Sequence, residues 1–244
     1  MIAHVINEIF NHLGELGETE EPLRYLELGV DYGHTFSEIS EKTTSGKEII
    51  KVGVDPYGTY TDGVTRMTSQ MYFALNGAFW RNEFDIVYID ACHFAPIVNQ
   101  EIKESLEILK PNGMVLLDDT VPQIEESQRV LAEDLVAYCE KVSYPVNTSH
   151  TEAVPHFTGY PHVQGDVWKS VAEIRMTRPD LSVCSSMPLC TTFVMKGKQD
   201  LIKKIPNTEM NWEYYTSNLD VILNPIKTME QLRNFIETNT ELIS

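Results

Sequence analysis

The chain has 244 residues, 42% of them hydrophobic, which suits one packed α/β domain and argues against disorder. Its 19 basic and 36 acidic residues leave a net charge of −17. That charge repels phosphate backbones and anionic lipid, so nucleic acid and membrane surfaces are excluded as expected partners.

The first residues, "MIAHVINEIFNHLGELGETEE", carry Ile2, Val5, Ile6, Ile9, Phe10, Leu13 and Leu16 at helical spacing, broken by Gly17 to Pro22. They predict an amphipathic helix that packs on its own domain, with a homodimer contact left open. The segment lacks a basic n-region and does not read as a signal peptide. "LRYLELGV" (23–30) reads as a strand covered on both faces. "HTFSEISEKTTSG" reads as a helix, opened by a Thr35/Glu38 capping box and stopped at Gly46. "EIIKVGVDPY" (48–57) is a second strand, and Val64–Thr68 a short third one before another helix. "FDIVYID" (84–90) is again a buried strand. Pro96 suits the first turn of a helix that turns Val98, Ile102, Leu106 and Leu109 inward. "MVLLDD" (114–119) is the next strand, and Glu125–Lys141 has helical spacing. The alternation from 23 to 141 predicts a doubly wound, mostly parallel sheet. Residues 143–165 have no period, and a connection of that length is usually functional or disordered. "DVWKSVAEIRMTR" is helical, "LSVCSS" and "TTFVMKG" are strands, and Thr228–Thr238 is a last helix. The four cysteines show no C-x-x-C spacing and read as reduced thiols of a cytoplasmic protein.

Three groups of residues carry the chemistry. In "ELGVDYGHT", Gly29 and Gly33 allow a tight strand-to-helix turn close to a ligand, and Glu27 is a carboxylate that burial makes costly unless it is paired. The pattern is not the G-x-G-x-x-G of a dinucleotide site, which counts against a nicotinamide-dependent dehydrogenase. Asp55 ends the second strand where doubly wound folds hold ribose hydroxyls, although an Asp before Pro also starts turns. Asp90 ends the 84–90 strand and Asp118 and Asp119 end the next, so a parallel sheet places them side by side. Three such carboxylates suggest a shared Mg²⁺ or Mn²⁺, provided the chain already turns at Asp119. His93, three residues after Asp90, has an ordinary pKa suited to taking a proton near neutrality.

Over residues 23 to 197 these pieces resemble class I S-adenosylmethionine-dependent methyltransferases: "YLELGVDYG" as the cofactor loop, "GVDPY" as the ribose strand, "FDIVYID…LEILKPNGMVLLDD" as the strands that follow. The Asp90/Asp118/Asp119 pattern resembles the metal-dependent O-methyltransferases of the catechol and macrolide-sugar types. At the place of the catechol type's lysine base stands His93, as in the sugar type, and Asp119 stands where the catechol type has Asn. "GDVWKSVAEIRMTRPDL" also resembles bacterial members of this group, without an attached chemistry. The resemblance implies a Rossmann-like seven-stranded sheet with an antiparallel edge. It implies an S-adenosylmethionine cofactor held by Glu27, Gly29, Gly33 and Asp55, with Asp90 beside it and Thr68 and Ser69 near the adenine. It implies a divalent metal on Asp90, Asp118 and Asp119, His93 as base, and a small-molecule hydroxyl as acceptor. The expected organisation is an N-terminal helix (1–22), the binding domain (23–200) with 143–165 as acceptor-side cover, and a helical extension (201–244). A metal- or nucleoside-binding protein without methyl transfer would share these residues.

Overall fold

The computed structural model describes residues 2–16, 21–60, 62–128 and 164–241. In chain order the elements are α1 (Ile2–Leu16), β1 (Leu23–Leu28), α2 (His34–Glu38), β2 (Ile49–Val54), β3 (Val64–Thr65), α3 (Ser69–Asn76), β4 (Phe84–Ile89), α4 (Ala95–Ile108) and β5 (Leu109–Leu117). After a 3₁₀ turn at Glu125–Gln128 and the undescribed residues come α5 (Trp168–Thr177), β6 (Leu181–Ser186), β7 (Thr191–Lys196), α6 (Trp212–Leu223), β8 (Pro225–Ile226) and α7 (Met229–Glu241). The rest of the helix expected over 125–141, and nearly all of the 143–165 connection, lie outside the described residues.

The strands form one sheet in the order β3-β2-β1-β4-β5-β7-β6-β8. Strands β1 to β5 pair in parallel, and β7 runs antiparallel to both of its neighbours. This is the doubly wound, Rossmann-like architecture expected, with its antiparallel part towards one edge, where the turn Met187–Cys190 folds β7 back between β5 and β6. One correction concerns the count: among the described residues the strands number eight rather than seven, because Pro225–Ile226 adds a short parallel strand to β6.

Each sheet face buries its own core. On one, Leu26, Leu28, Val87, Ile89, Val115 and Leu117 meet α3, α4, α5 and α6; on the other, Tyr25, Ile86, Tyr88, Met114 and Leu116 meet α1 and α7. The stripe predicted on α1 is thus buried within the chain through Val5, Ile6, Ile9 and Phe10. The two-sided burial of β1 and β4 accounts for their unbroken apolar runs. Trp168 is fully buried, lies 4.9 Å from the Tyr215 ring and donates through Nε1 to Gln128 Oε1 at 2.9 Å. Trp168→Ala is expected to cost about 3–5 kcal/mol, measured by urea unfolding with an unchanged m-value.

The helix expected over 34–46 is cut to five residues. Gly33, in a left-handed conformation (φ 77°), is its N-cap, so Thr35 and Glu38 form no capping box. Beyond Glu38 the backbone is held by side chains instead. Asn7 and Asn11 of α1 accept from Ser40 N and Thr44 N, and Thr43 Oγ1 accepts from Lys47 N. Such bonds compete directly with the helical ladder. In the C-terminal part, α6 was not foreseen as a helix; a non-helical residue at Asn218 interrupts it and blurs its period.

Candidate active site

The sheet register brings the sequence-predicted residues to the carboxyl ends of four neighbouring strands. Leu28 pairs with Val54 and Ile89, and Ile89 with Leu117, so Gly29, Asp55, Asp90 and Asp118 follow their strands at one level. Asp90 N donates to Leu28 O (2.9 Å), and Asp118 N to Ile89 O (3.0 Å). Gly29 has φ 87°, and a Cβ on it would strike the Asp90 backbone, so only glycine lets the two turns lie this close.

Glu27 is buried, and Tyr25, two residues earlier on the same strand face, donates its hydroxyl to Oε2 at 2.6 Å. Burial raises the Glu27 pKa from 4.5 to about 8, with the negative charges of Asp90 and Asp118 adding to it and Tyr25 and Lys51 opposing. The folded protein therefore binds more protons than the unfolded chain between pH 4.5 and 8 through this group. Its contribution to stability falls as pH rises through that window.

Asp55 is also buried. Its Oδ2 accepts from Asp31 N at 2.8 Å, and its Oδ1 from Tyr57 N at 2.6 Å and from Gly58 N. It thus shapes its own turn and ties it to the glycine loop, and Oδ2 keeps a second lone pair that can accept a hydroxyl. Thr68 caps α3 by accepting from Met71 N at 3.2 Å. Ser69, the first residue of α3, donates to Glu101 Oε1 at 2.6 Å. Burial lifts the Glu101 carboxyl to about 7.

Around His93 the acidic residues close in. Its Nε2 meets Asp90 Oδ1 at 3.1 Å, and its Nδ1 meets Asp119 Oδ2 at 3.2 Å. Asp119 takes a left-handed conformation (φ 53°), so the chain turns at once after β5 and two adjacent carboxylates escape strand alternation. Asp118 accepts from Thr191 Oγ1 at 3.2 Å and from the Tyr88 hydroxyl; burial first, then Asp90 and Asp119, raise its pKa. Burial alone would lower the His93 pKa, but the bond to Asp90 and the charges of Asp90, Asp119 and Asp118 outweigh it and raise the pKa to about 9. A carboxylate on each ring nitrogen favours the protonated imidazole. The expectation of an ordinary histidine pKa is corrected, because sequence spacing shows one acid beside His93 and the fold supplies three.

Among the described residues no group of three or more Asp, Glu, His and Cys is arranged as metal ligands. The three carboxylates do converge, but the imidazole stands between Asp90 and Asp119. Carboxylate oxygens are the hard donors that divalent cations such as Mg²⁺ prefer. Tyr25, Tyr88, Thr191 and Gln164, which hold Glu27, Asp118 and Asp119 in place, were not identified in the sequence. Tyr25 alone left a signal, its i−2 position on a strand.

Residues 26–120 match the family model described as a methyltransferase domain. The match spans β1 to the turn after β5, less than half of the chain, and contains Glu27, Asp55, Asp90, His93, Asp118 and Asp119. No curated protein matches the sequence. Among solved structures, the chain is similar to the O-methyltransferase TomG from Streptomyces achromogenes, involved in tomaymycin synthesis and solved in complex with SAM. Identity is 11%, with 78% of each chain covered and a TM-score of 0.44. It is similar to MycE of the mycinamycin biosynthetic pathway, solved with Mg and SAH, at 15% identity, over 82% of this chain and 51% of that one, with a TM-score of 0.43. It is also similar to an O-methyltransferase from Bacillus cereus solved with SAH, at 13% identity, over 78% and 80% of the chains, with a TM-score of 0.42. No described helix is long and apolar enough to cross a membrane.

Proposed function

We propose that the protein is an S-adenosylmethionine-dependent O-methyltransferase that uses a divalent cation and acts on a hydroxyl of a small molecule, such as a sugar, a natural product or a catechol-like phenol. The observation that carries this reading is the gathering of Asp90, His93, Asp118 and Asp119 at two strand ends, against the Gly29 turn. The turn from Glu27 to Gly33 holds the amino acid part of the cofactor, with the Glu27 carboxylate facing its ammonium group. Asp55 holds the ribose, and Thr68 and Ser69 lie on the adenine side. Asp90, Asp118 and Asp119 hold the cation. When bound, it lowers the pKa of the acceptor hydroxyl and offsets the carboxylate charge. His93, in its neutral form, takes the hydroxyl proton. The acceptor oxygen forms a bond to the methyl carbon, the carbon–sulfur bond breaks, and its electron pair stays on sulfur, leaving a neutral thioether. Holding oxygen, carbon and sulfur in line supplies much of the rate.

Calorimetric titration with S-adenosylmethionine and its demethylated product tests the cofactor half. Asp55→Ala and Glu27→Ala are each expected to weaken binding by about 1.5–3 kcal/mol, the worth of a hydrogen bond to a charged group. Unchanged affinity in both variants would refute the placement. An ammonium beside Glu27 favours its ionised form, so binding near neutrality releases a proton from a carboxyl held at about 8. Affinity for the cofactor is therefore expected to rise between pH 6 and pH 8 and to lose that rise in Glu27→Gln. Tritium transfer from labelled cofactor to a panel of catechols and glycosides, with and without chelator, tests the acceptor half.

A further inference from the structure

The sequence "QGDVWK" (164–169) stands out without an obvious chemistry. The structure ties its first three residues to three parts of the site. Gln164 is buried, and its Nε2 donates to Asp119 Oδ1 at 3.2 Å and to the Val121 carbonyl at 3.4 Å. The amide nitrogen thus faces a carboxylate and a carbonyl, with the Cys190 thiol also hydrogen-bonded to the side chain, and these acceptors orient the amide. Gly165 has φ 62°, and a Cβ there would land on the His93 carbonyl oxygen. Asp166 N donates to that same oxygen at 3.1 Å, and Asp166 Oδ1 accepts from Ala95 N at 2.7 Å, capping α4 from outside the helix.

We propose that Gln164 is a positioning residue for Asp119. Its amide takes one carboxylate oxygen so that the other faces His93, and the Gly165–Asp166 strap sets the distance by anchoring to His93 and α4. The inference rests on the reading that Asp119 serves the reaction and the cation. It adds that the chain leading into α5 fixes the geometry of that carboxylate.

Gln164→Met keeps the side chain's length and removes its donors. Affinity for Mn²⁺, read by electron paramagnetic resonance, and kcat are each expected to fall by about tenfold or more, as for a lost hydrogen bond to a charged group. Affinity for S-adenosylhomocysteine is expected to stay within about twofold, since the lost bond is not on the cofactor side. In an Asp119→Ala background the same change should have no further effect on either quantity, because neighbours that act through one another are not additive. Gln164→Asn serves where the methionine variant does not fold. It shortens the amide, and Asp119→Glu in the same chain should recover part of the loss, which no purely structural role for Gln164 would give. Wild-type Mn²⁺ affinity and kcat in Gln164→Met, or equal losses with and without Asp119, overturn the proposal. A wild-type protein that transfers methyl groups without binding Mn²⁺ refutes the cation instead, and the kcat cycle then decides on Gln164 by itself. A wild-type protein that binds neither Mn²⁺ nor S-adenosylhomocysteine overturns the functional reading, and this inference with it.

Discussion

His93→Ala is expected to lower methyl transfer by about 10²–10⁴-fold, the usual worth of a positioned general base, while S-adenosylmethionine still binds. The imidazole stands between Asp90 and Asp119, within direct reach of both, and no other described histidine reaches these carboxylates through a hydrogen bond or ion pair. The residual rate should rise with pH as the acceptor hydroxyl ionises unaided. Removing the ring also leaves three carboxylates without their internal cation. The variant should therefore lose stability in metal-free buffer and regain it when Mg²⁺ is added, which differential scanning calorimetry can follow. Normal turnover in His93→Ala would make the histidine a structural counter-charge and no more.

Asp118→Ala is expected to abolish cation-dependent turnover and leave cofactor binding intact. Asp118 lies one strand beyond Asp90, so its loss removes an oxygen donor from the cluster without touching the Gly29 turn. Burial and its two acidic neighbours disfavour its charge, so the relieved repulsion offsets part of the cost of leaving the Thr191 and Tyr88 hydroxyls without this acceptor. The change in thermal stability is therefore expected to be small beside the loss of function. Full wild-type activity in excess chelator would show that the three carboxylates serve some purpose other than holding a cation.

How far the sequence discloses this site follows from the range of the interactions. β1, β4 and β5 were legible because burial on both faces writes an unbroken apolar run, and a carboxylate at the end of such a run is conspicuous. Glu27, Asp90, Asp118 and Asp119 stood out in that way, and Asp55 by its place at the end of the strand that follows the glycine turn. The shortening of α2 was not legible, since Asn7 and Asn11, more than thirty residues away, take the amides a helix would have used. The charge on His93 was hidden for the same reason: Asp119 reaches it across strands. Gln164 gave no signal at all, because a glutamine before a glycine is common, and its role depends on where Asp119 points. Two adjacent acids can share a site only if the chain turns at once after the strand, and the left-handed conformation of Asp119 provides that turn.

The outermost strands of the sheet have a consequence for the protein at high concentration. β3 and β8 are two residues each, and β8 begins with Pro225, which has no amide hydrogen to offer. A long bare edge invites a neighbouring molecule to add its own strand, the first step towards ordered aggregates. Here the eight strands of the described residues end in borders too short to serve as a template, on a chain with a net charge of −17. The small strand Pro225–Ile226, which contributes little to either core, thus acts as a hem that closes the sheet against its own kind.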